Sequence, residues 1–429
     1  MALDEILHSR IDETTKGFPG GRGALALAEI GSQGWSLLAE DVPLPACVLK
    51  ASALGRNESF MREFLGRSGA SISPHGKTTM SPQLFARQMA AGAWAITVGN
   101  IHQIQVARHF GFARIVLANQ LVGRQAIRYV LDEIARDPAF EFYSLVDSVA
   151  LVETLARAAR ERGIQGRFNV FLEGGVAGAR TGVRDIATAR AVARAVKAAS
   201  PYLTLCGVEG FEGVISGDGA AAKIGVFLDF LADIARMIDA EDLAGPGPLI
   251  LTAGGSAFYD VVVAKFAGLN LRRQCTILTR SGCYLTHDSR MYENAYRAIA
   301  ERSSAVAGIA RPAHALEVWA YVQSRPEPTR ALVTMGKRDV SHDRDLPIPL
   351  LWHRPGSRDK APAPLGADHA CVALNDQHGF LDIPASSPLA VGDMVGFGIS
   401  HPCLTFDKWQ LIYVVDDSYR IVDAIRTYF

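Results

Sequence analysis

The sequence predicts a (β/α)8 barrel followed by a smaller, mostly antiparallel β domain. Between residues 46 and 285, short apolar, β-branched runs alternate with longer amphipathic stretches. Such alternation implies parallel strands covered by helices. There are eight of these runs, the number that closes a barrel. Beyond about residue 310 the pattern changes to short β-like runs among frequent Pro and Gly. An open, doubly wound sheet is the alternative reading of the same alternation.

The predicted strands are 71–74, 94–98, 114–118, 140–146, 168–173, 203–208, 248–252 and 275–279. Helical patterns fall at 81–91, 101–110, 187–199 and 224–238. Ser81 is a plausible N-cap for the first of these, with Pro82 at the first helical position. In the second domain β-like runs are 332–335, 370–374, 394–399 and 411–415. The expected division is a lead-in at 1–45 that packs with the β domain, a barrel at 46–300, and a β domain at 301–429.

Lys plus Arg number 44, as do Asp plus Glu, so charge gives no reason to expect nucleic acid or an anionic membrane as partner. The six cysteines, Cys47, Cys206, Cys275, Cys283, Cys371 and Cys403, form no CxxC pair. That spacing argues against a disulfide framework and for a reducing, cytoplasmic setting. Neither a signal peptide nor a membrane-spanning run is expected.

Three segments carry candidate chemistry. Pro74-His75-Gly76-Lys77-Thr78-Thr79 follows the first predicted strand, at the barrel end where catalytic groups gather. An amine there can condense with an aldehyde once desolvated or set beside another cation; a solvated loop lysine is the plain alternative. Thr252-Ala253-Gly254-Gly255-Ser256 follows strand seven and precedes a helix near Tyr259. Glycines admit an anion close to the backbone, and the helix start offers free N–H groups. Strand eight ends in Arg280-Ser281-Gly282-Cys283-Tyr284 at the same rim. Ser400-His401-Pro402-Cys403 places imidazole and thiol two residues apart, on one face if the segment is extended. That pair suits zinc, and leaves coordination positions open. A turn histidine beside a buried cysteine is the simpler reading. His378, in Asp376-Gln377-His378-Gly379, is either a further polar contributor or a hairpin residue.

Taken in order, these segments resemble the D-serine dehydratase and D-threonine aldolase family of fold-type III pyridoxal phosphate (PLP) enzymes, with its alanine racemase-like barrel. Pro45 to Leu49, Ala118 to Gly123 and Ala179 to Val183 extend the resemblance over nearly the whole chain. It implies that Lys77 holds PLP as a Schiff base. It implies cofactor contacts from His75, Gln120, Arg180, Thr181, Gly254, Gly255, Ser256, Gly282 and Tyr284, and a divalent metal, zinc by preference, on His401 and Cys403. It further implies a homodimer and a small D-amino acid substrate. The family associates a His-x-Cys metal pair with dehydration and a His-x-Asp pair with aldol cleavage. The implied activity is therefore a PLP-dependent lyase, D-serine dehydratase, with D-threonine or D-3-hydroxyaspartate aldolase as the alternative. A PLP-binding homeostasis protein without turnover is the alternative of another class. One departure is that Thr78-Thr79-Met80 follows Lys77, where the family often has a second lysine or histidine.

Overall fold

The computed structural model describes residues 2–217, 219–358 and 361–429. Eight strands form the first sheet: β1 (Ser71–Ile72), β2 (Ile96–Val98), β3 (Arg114–Gln120), β4 (Glu141–Val146), β5 (Phe168–Gly174), β6 (Thr204–Gly210), β7 (Leu249–Thr252) and β8 (Cys275–Thr279). Every predicted run overlaps one of them, and β3, β5 and β6 run one or two residues past the predicted end. Neighbours in chain order pair in parallel from β2 to β8, and β8 pairs with β1. The circle closes where the Trp94 N–H donates to the Ile72 carbonyl at 2.7 Å and the Thr97 N–H to Pro74 at 2.9 Å. His75 bridges Thr97 at the same seam. The sheet is a barrel and not an open sheet.

The strands are buried on both faces, as parallel strands must be when helices cover one side and a packed lumen the other. All of β2 and all of β7 are buried. The covering helices are α1 (Ala51–Ser68), α2 (Pro82–Ala90), α3 (Ile101–His109), α4 (Arg124–Arg136), α5 (Val149–Glu161), α6 (Ile186–Ala198), α7 (Ala220–Ala240), α8 (Tyr259–Ala267) and α9 (Met291–Arg302). On α4, Ile127, Val130, Leu131 and Ile134 form one buried stripe at helical spacing. Each such side chain contributes about 1.5–3 kcal/mol when taken from water. Asn100, Ser148 and Asp185 cap α3, α5 and α6 with their side-chain oxygens. Ser81 stands at the N-cap of α2, but its hydroxyl makes no capping bond.

The second sheet is built around the twelve-residue strand Leu316–Glu327. It pairs antiparallel with Arg330–Val333, Met394–Gly398 and Ala46–Lys50. Ala46–Lys50 also lies parallel to Leu411–Val415. The second sheet therefore reaches back across the boundary expected at residue 46. The sequence hides this, because an apolar run entering α1 looks like one more barrel unit. The lead-in packs on the same domain: Ile421 donates to the Trp35 carbonyl at 2.8 Å, and the Tyr413 hydroxyl donates to the Gly17 carbonyl at 2.8 Å.

The two domains are stitched along the loop after β8. The Ala315 N–H donates to Thr286 and the Ser289 N–H to Ile399, both at 2.8 Å. This seam brings residues near 400 of the β domain over the first turn beyond β1. Among the described residues no helix is long and apolar enough to cross a membrane.

Candidate active site

The barrel mouth is built from the residues that follow each strand. After β1, Gly76–Thr78 makes one 3-10 turn. Gly76 is required there, since a Cβ would lie 2.7 Å from the Phe85 ring. The turn lifts Lys77 into the mouth, exposed and without a hydrogen bond among the described residues, with its Cδ 3.9 Å from where a Cβ on Gly99 would stand. His75 beside it has a buried Nδ1 without a partner. Burial, reinforced by the charges of Lys77, Arg280 and Arg180, holds its imidazole neutral well below the usual histidine range.

Gly282, after β8, packs directly on this turn. A Cβ there would meet Thr78 Oγ1 at 2.6 Å and the His75 carbonyl at 2.8 Å, contacts that backbone cannot relieve. Gly282→Ala should displace the Lys77 turn and weaken uptake of the PLP that the resemblance implies at least roughly tenfold, one 1.4 kcal/mol step. Spectrophotometric titration with PLP measures this; unchanged uptake would remove Gly282 from the site.

The glycine turn lies one strand further round. Gly254 has φ +105°, and the Ser281 hydroxyl donates to the Gly255 carbonyl at 3.1 Å, tying this turn to the end of β8. The Gly254 and Gly255 N–H groups donate to the buried Glu212 carboxylate at 2.9 and 2.7 Å. Burial pushes that carboxyl above the usual range, while the two N–H bonds oppose the shift. These glycines therefore shape the turn, and the next N–H groups, of Ser256 and Ala257 ahead of α8, carry no hydrogen bond among the described residues. They point the anion site one or two residues beyond the Gly254-Gly255 pair.

Two carboxylates and one guanidinium line the deeper wall. Arg280 is buried, pairs with Glu209, donates to Thr252 Oγ1 at 2.6 Å and to the Gly210 carbonyl at 2.9 Å. Burial pushes Glu209 up to about 7 despite Arg280. Across the mouth, Gln120 and Thr181 both donate to Glu173, Thr181 at 2.9 Å. Arg180 is exposed, its guanidinium 5.4 Å from the Phe211 ring centre. Tyr284 turns away from the mouth to bond Gln88 of α2, and burial raises its phenol. His378 sits at the hairpin between Ala370–Leu374 and Gly379–Asp382, its carbonyl accepting from Asn375 at 2.8 Å.

The β domain supplies the roof. His401 has φ +64°, a left-handed backbone uncommon outside glycine and frequent at functional sites. Its N–H donates to Asp288 at 3.1 Å, and its Nδ1 lies 2.7 Å from the Asp343 carboxylate. The hydrogen bond with Cys403, aided by Asp343, raises its imidazole to about 9. Cys403 Sγ is 3.5 Å from Thr78 Oγ1 and 3.7 Å from Cys283 Sγ. The Cys283 thiol keeps its proton, raised by Cys403 and by burial; Cys403 is lowered by Cys283 and His401. Imidazole and thiol thus meet directly above the residue next to Lys77. Among the described residues no three His, Cys, Asp or Glu side chains already converge on one metal position.

Sequence reading missed Glu173, Glu209, Glu212, Arg280, Cys283 and Asp343. Four of them end barrel strands or open the loop after one, the same positional signal that singled out Lys77. Asp343 gave no signal, because it reaches His401 from a loop 58 residues away.

Residues 315–415 match a family model described as a putative serine dehydratase domain. A D-threonine aldolase of Arthrobacter sp is 22% identical over 383 residues, 88% of this chain and 90% of that protein. These matches agree with the family that the sequence resembles. A D-threo-3-hydroxyaspartate dehydratase of Delftia sp. (strain HT23) is 30% identical over 142 residues, 32% of this chain and 35% of that protein. Among solved structures, the D-threonine aldolase of Filomicrobium marinum superposes with a TM-score of 0.73 at 21% identity, covering 92% of this chain and 97% of that one. At these identities the likeness of structures shows the fold.

The residues of this chain fit PLP, the cofactor that the resemblance implies. An amine without a partner, a buried imidazole nitrogen without a partner, and free N–H groups ahead of α8 share one rim. His401 beside Cys403 is a donor pair of the kind that holds a divalent transition metal.

Proposed function

We propose that this chain is a PLP- and metal-dependent lyase that removes the β-hydroxyl of small D-amino acids, converting D-serine to pyruvate and ammonia. The observation that carries it is the position of Cys403, two residues from His401, with its Sγ 3.5 Å from Thr78 Oγ1 beside Lys77. It supports a site in which His401 and Cys403 offer metal donors beside the Lys77 amine. Two solved D-threo-3-hydroxyaspartate dehydratase variants replace a histidine and a cysteine two positions apart, and the cysteine variant is in a metal-free form. His401 and Cys403 have that spacing.

PLP, when bound, supplies an electron sink for the charge that develops at the substrate α-carbon. Lys77 would hold it, and the free N–H groups of Ser256 and Ala257 ahead of α8 would suit its phosphate. The Lys77 amine is also the base that takes the α-proton, since its side chain is free to move within the mouth. Arg180 binds the substrate carboxylate from the exposed side. His75, held neutral by burial, accepts a hydrogen bond at Nδ1 without adding charge. A divalent metal, zinc by donor preference, supplies a Lewis acid for the leaving hydroxyl. His401 and Cys403 would hold it, with Asp343 on Nδ1 orienting the imidazole so that Nε2 would be free for the metal.

Aldol cleavage is the second reading, favoured by the similarity to D-threonine aldolase over 88% of the chain. D-serine, D-threonine and D-threo-3-hydroxyaspartate, scored for ammonia against glycine plus aldehyde, separate the two. Ammonia and a 2-oxo acid are expected. Glycine as the main product would establish the aldolase, and no product from any of the three would sink both. Exhaustive chelation, or Cys403→Ala, should remove turnover by roughly 10²-fold or more while PLP absorbance remains, the scale seen when metal ligation is disturbed. Full activity without metal would end the metal-dependent reading.

A further inference from the structure

We propose that Cys283 is a third protein donor to the metal, so that Cys283, Cys403 and His401 form a Cys2His site. This rests on the metal-dependent reading above. The two sulfurs stand 3.7 Å apart. Two sulfurs each about 2.3 Å from one tetrahedral ion are about 3.8 Å apart, so an ion fits between them without changing their separation. They come from different domains, Cys283 from the loop after β8 and Cys403 from the short helical turn Cys403–Phe406. Thr78 Oγ1 touches both, at 3.5 Å from Cys403 and 3.8 Å from Cys283, and so holds the pair from below. Cys206, Cys275 and Cys371 instead give their S–H groups to nearby oxygens of their own sheets.

The chemistry agrees with the geometry. Two sulfurs and an imidazole select zinc over magnesium, calcium or manganese. Three protein donors leave one tetrahedral position for the substrate hydroxyl, the usual arrangement of a catalytic zinc. His401 lies two residues before Cys403, its Nδ1 held by Asp343 at 2.7 Å, and no three donors yet share one centre among the described residues. Closing the set requires His401 or Cys283 to turn about its own side-chain bonds, with Asp343 still holding Nδ1.

X-ray absorption at the zinc edge of the loaded wild-type holoenzyme counts the sulfurs without any substitution. Two sulfurs at about 2.3 Å are expected; one sulfur overturns the proposal and leaves the metal-dependent reading standing. Cobalt(II)-loaded wild type and Cys283→Ser give a second readout. The sulfur-to-cobalt charge-transfer band should fall to roughly half in the variant with cobalt still bound, because one of two thiolates is gone. An unchanged band overturns the assignment. Wild-type protein that takes up neither zinc nor cobalt would bring down this assignment and the metal-dependent reading together.

Discussion

Lys77→Ala is expected to lose the visible absorbance of bound PLP and at least about 10³-fold in turnover, the scale of losing a general base even before the covalent attachment is counted. The same substitution should leave the fold untouched. Lys77 is exposed and makes no hydrogen bond among the described residues, and changes at such positions stay within about 0.5 kcal/mol. This separation gives the experiment its force, because a large loss of activity with an unchanged urea midpoint is a chemical effect. A small added amine such as methylamine, able to enter the open mouth, should restore part of the lost proton transfer. Retained absorbance and turnover in Lys77→Ala would end the case for this lysine. His75→Gln is the useful contrast. Its imidazole is already neutral, so the substitution should leave PLP attached and the pH dependence of turnover unchanged.

The barrel was legible because its signal is local. Each strand is a short apolar run buried on both faces, and each helix carries a stripe such as Ile127, Val130, Leu131 and Ile134. Lys77 and the glycine turn were found by counting strands, since position at a strand's C-terminal end is a sequence property once the barrel is assumed. What was not legible depends on contacts between distant segments. Ala46–Lys50 fell inside the expected barrel domain as the lead into its first helix, and its partners, more than 260 residues away, place it in the other sheet. Glu212 lies in the loop after β6, where nothing in the run Gly210-Phe211-Glu212 says that its carboxylate will occupy the N–H groups of Gly254 and Gly255. Cys283 was one of six scattered cysteines until the domain seam brought it to Cys403. The metal pair stood out only because its two members are close in sequence.

The buried pair Arg280–Glu209 sets the second large effect, on stability. Both side chains are 2% exposed, and the Arg280 Nε and one Glu209 oxygen have no partner. A pair this deep contributes little net stability when intact, because desolvation offsets the attraction, but removing one partner leaves an uncompensated charge. Arg280→Met is therefore expected to cost about 3–5 kcal/mol. The pH dependence follows from Glu209, whose carboxyl is pushed up to about 7 by burial, Arg280 opposing. A group raised in the folded state binds its proton more tightly there than in the unfolded chain. The stability from that extra proton affinity is complete below about pH 4.3, the unfolded value, and is lost as pH rises through about 7. Without Arg280 the folded carboxyl rises further, so the loss extends to higher pH. The gap in urea midpoint between wild type and Arg280→Met should thus widen from pH 6 to pH 8. Arg280→Met with Glu209→Gln should recover most of it, since no charge is then left in the wall. A gap that is the same at both pH values, or a double variant no better than the single, would show that Arg280 stabilises the barrel through packing and its bonds to Thr252 and Gly210, and not through the charge of Glu209.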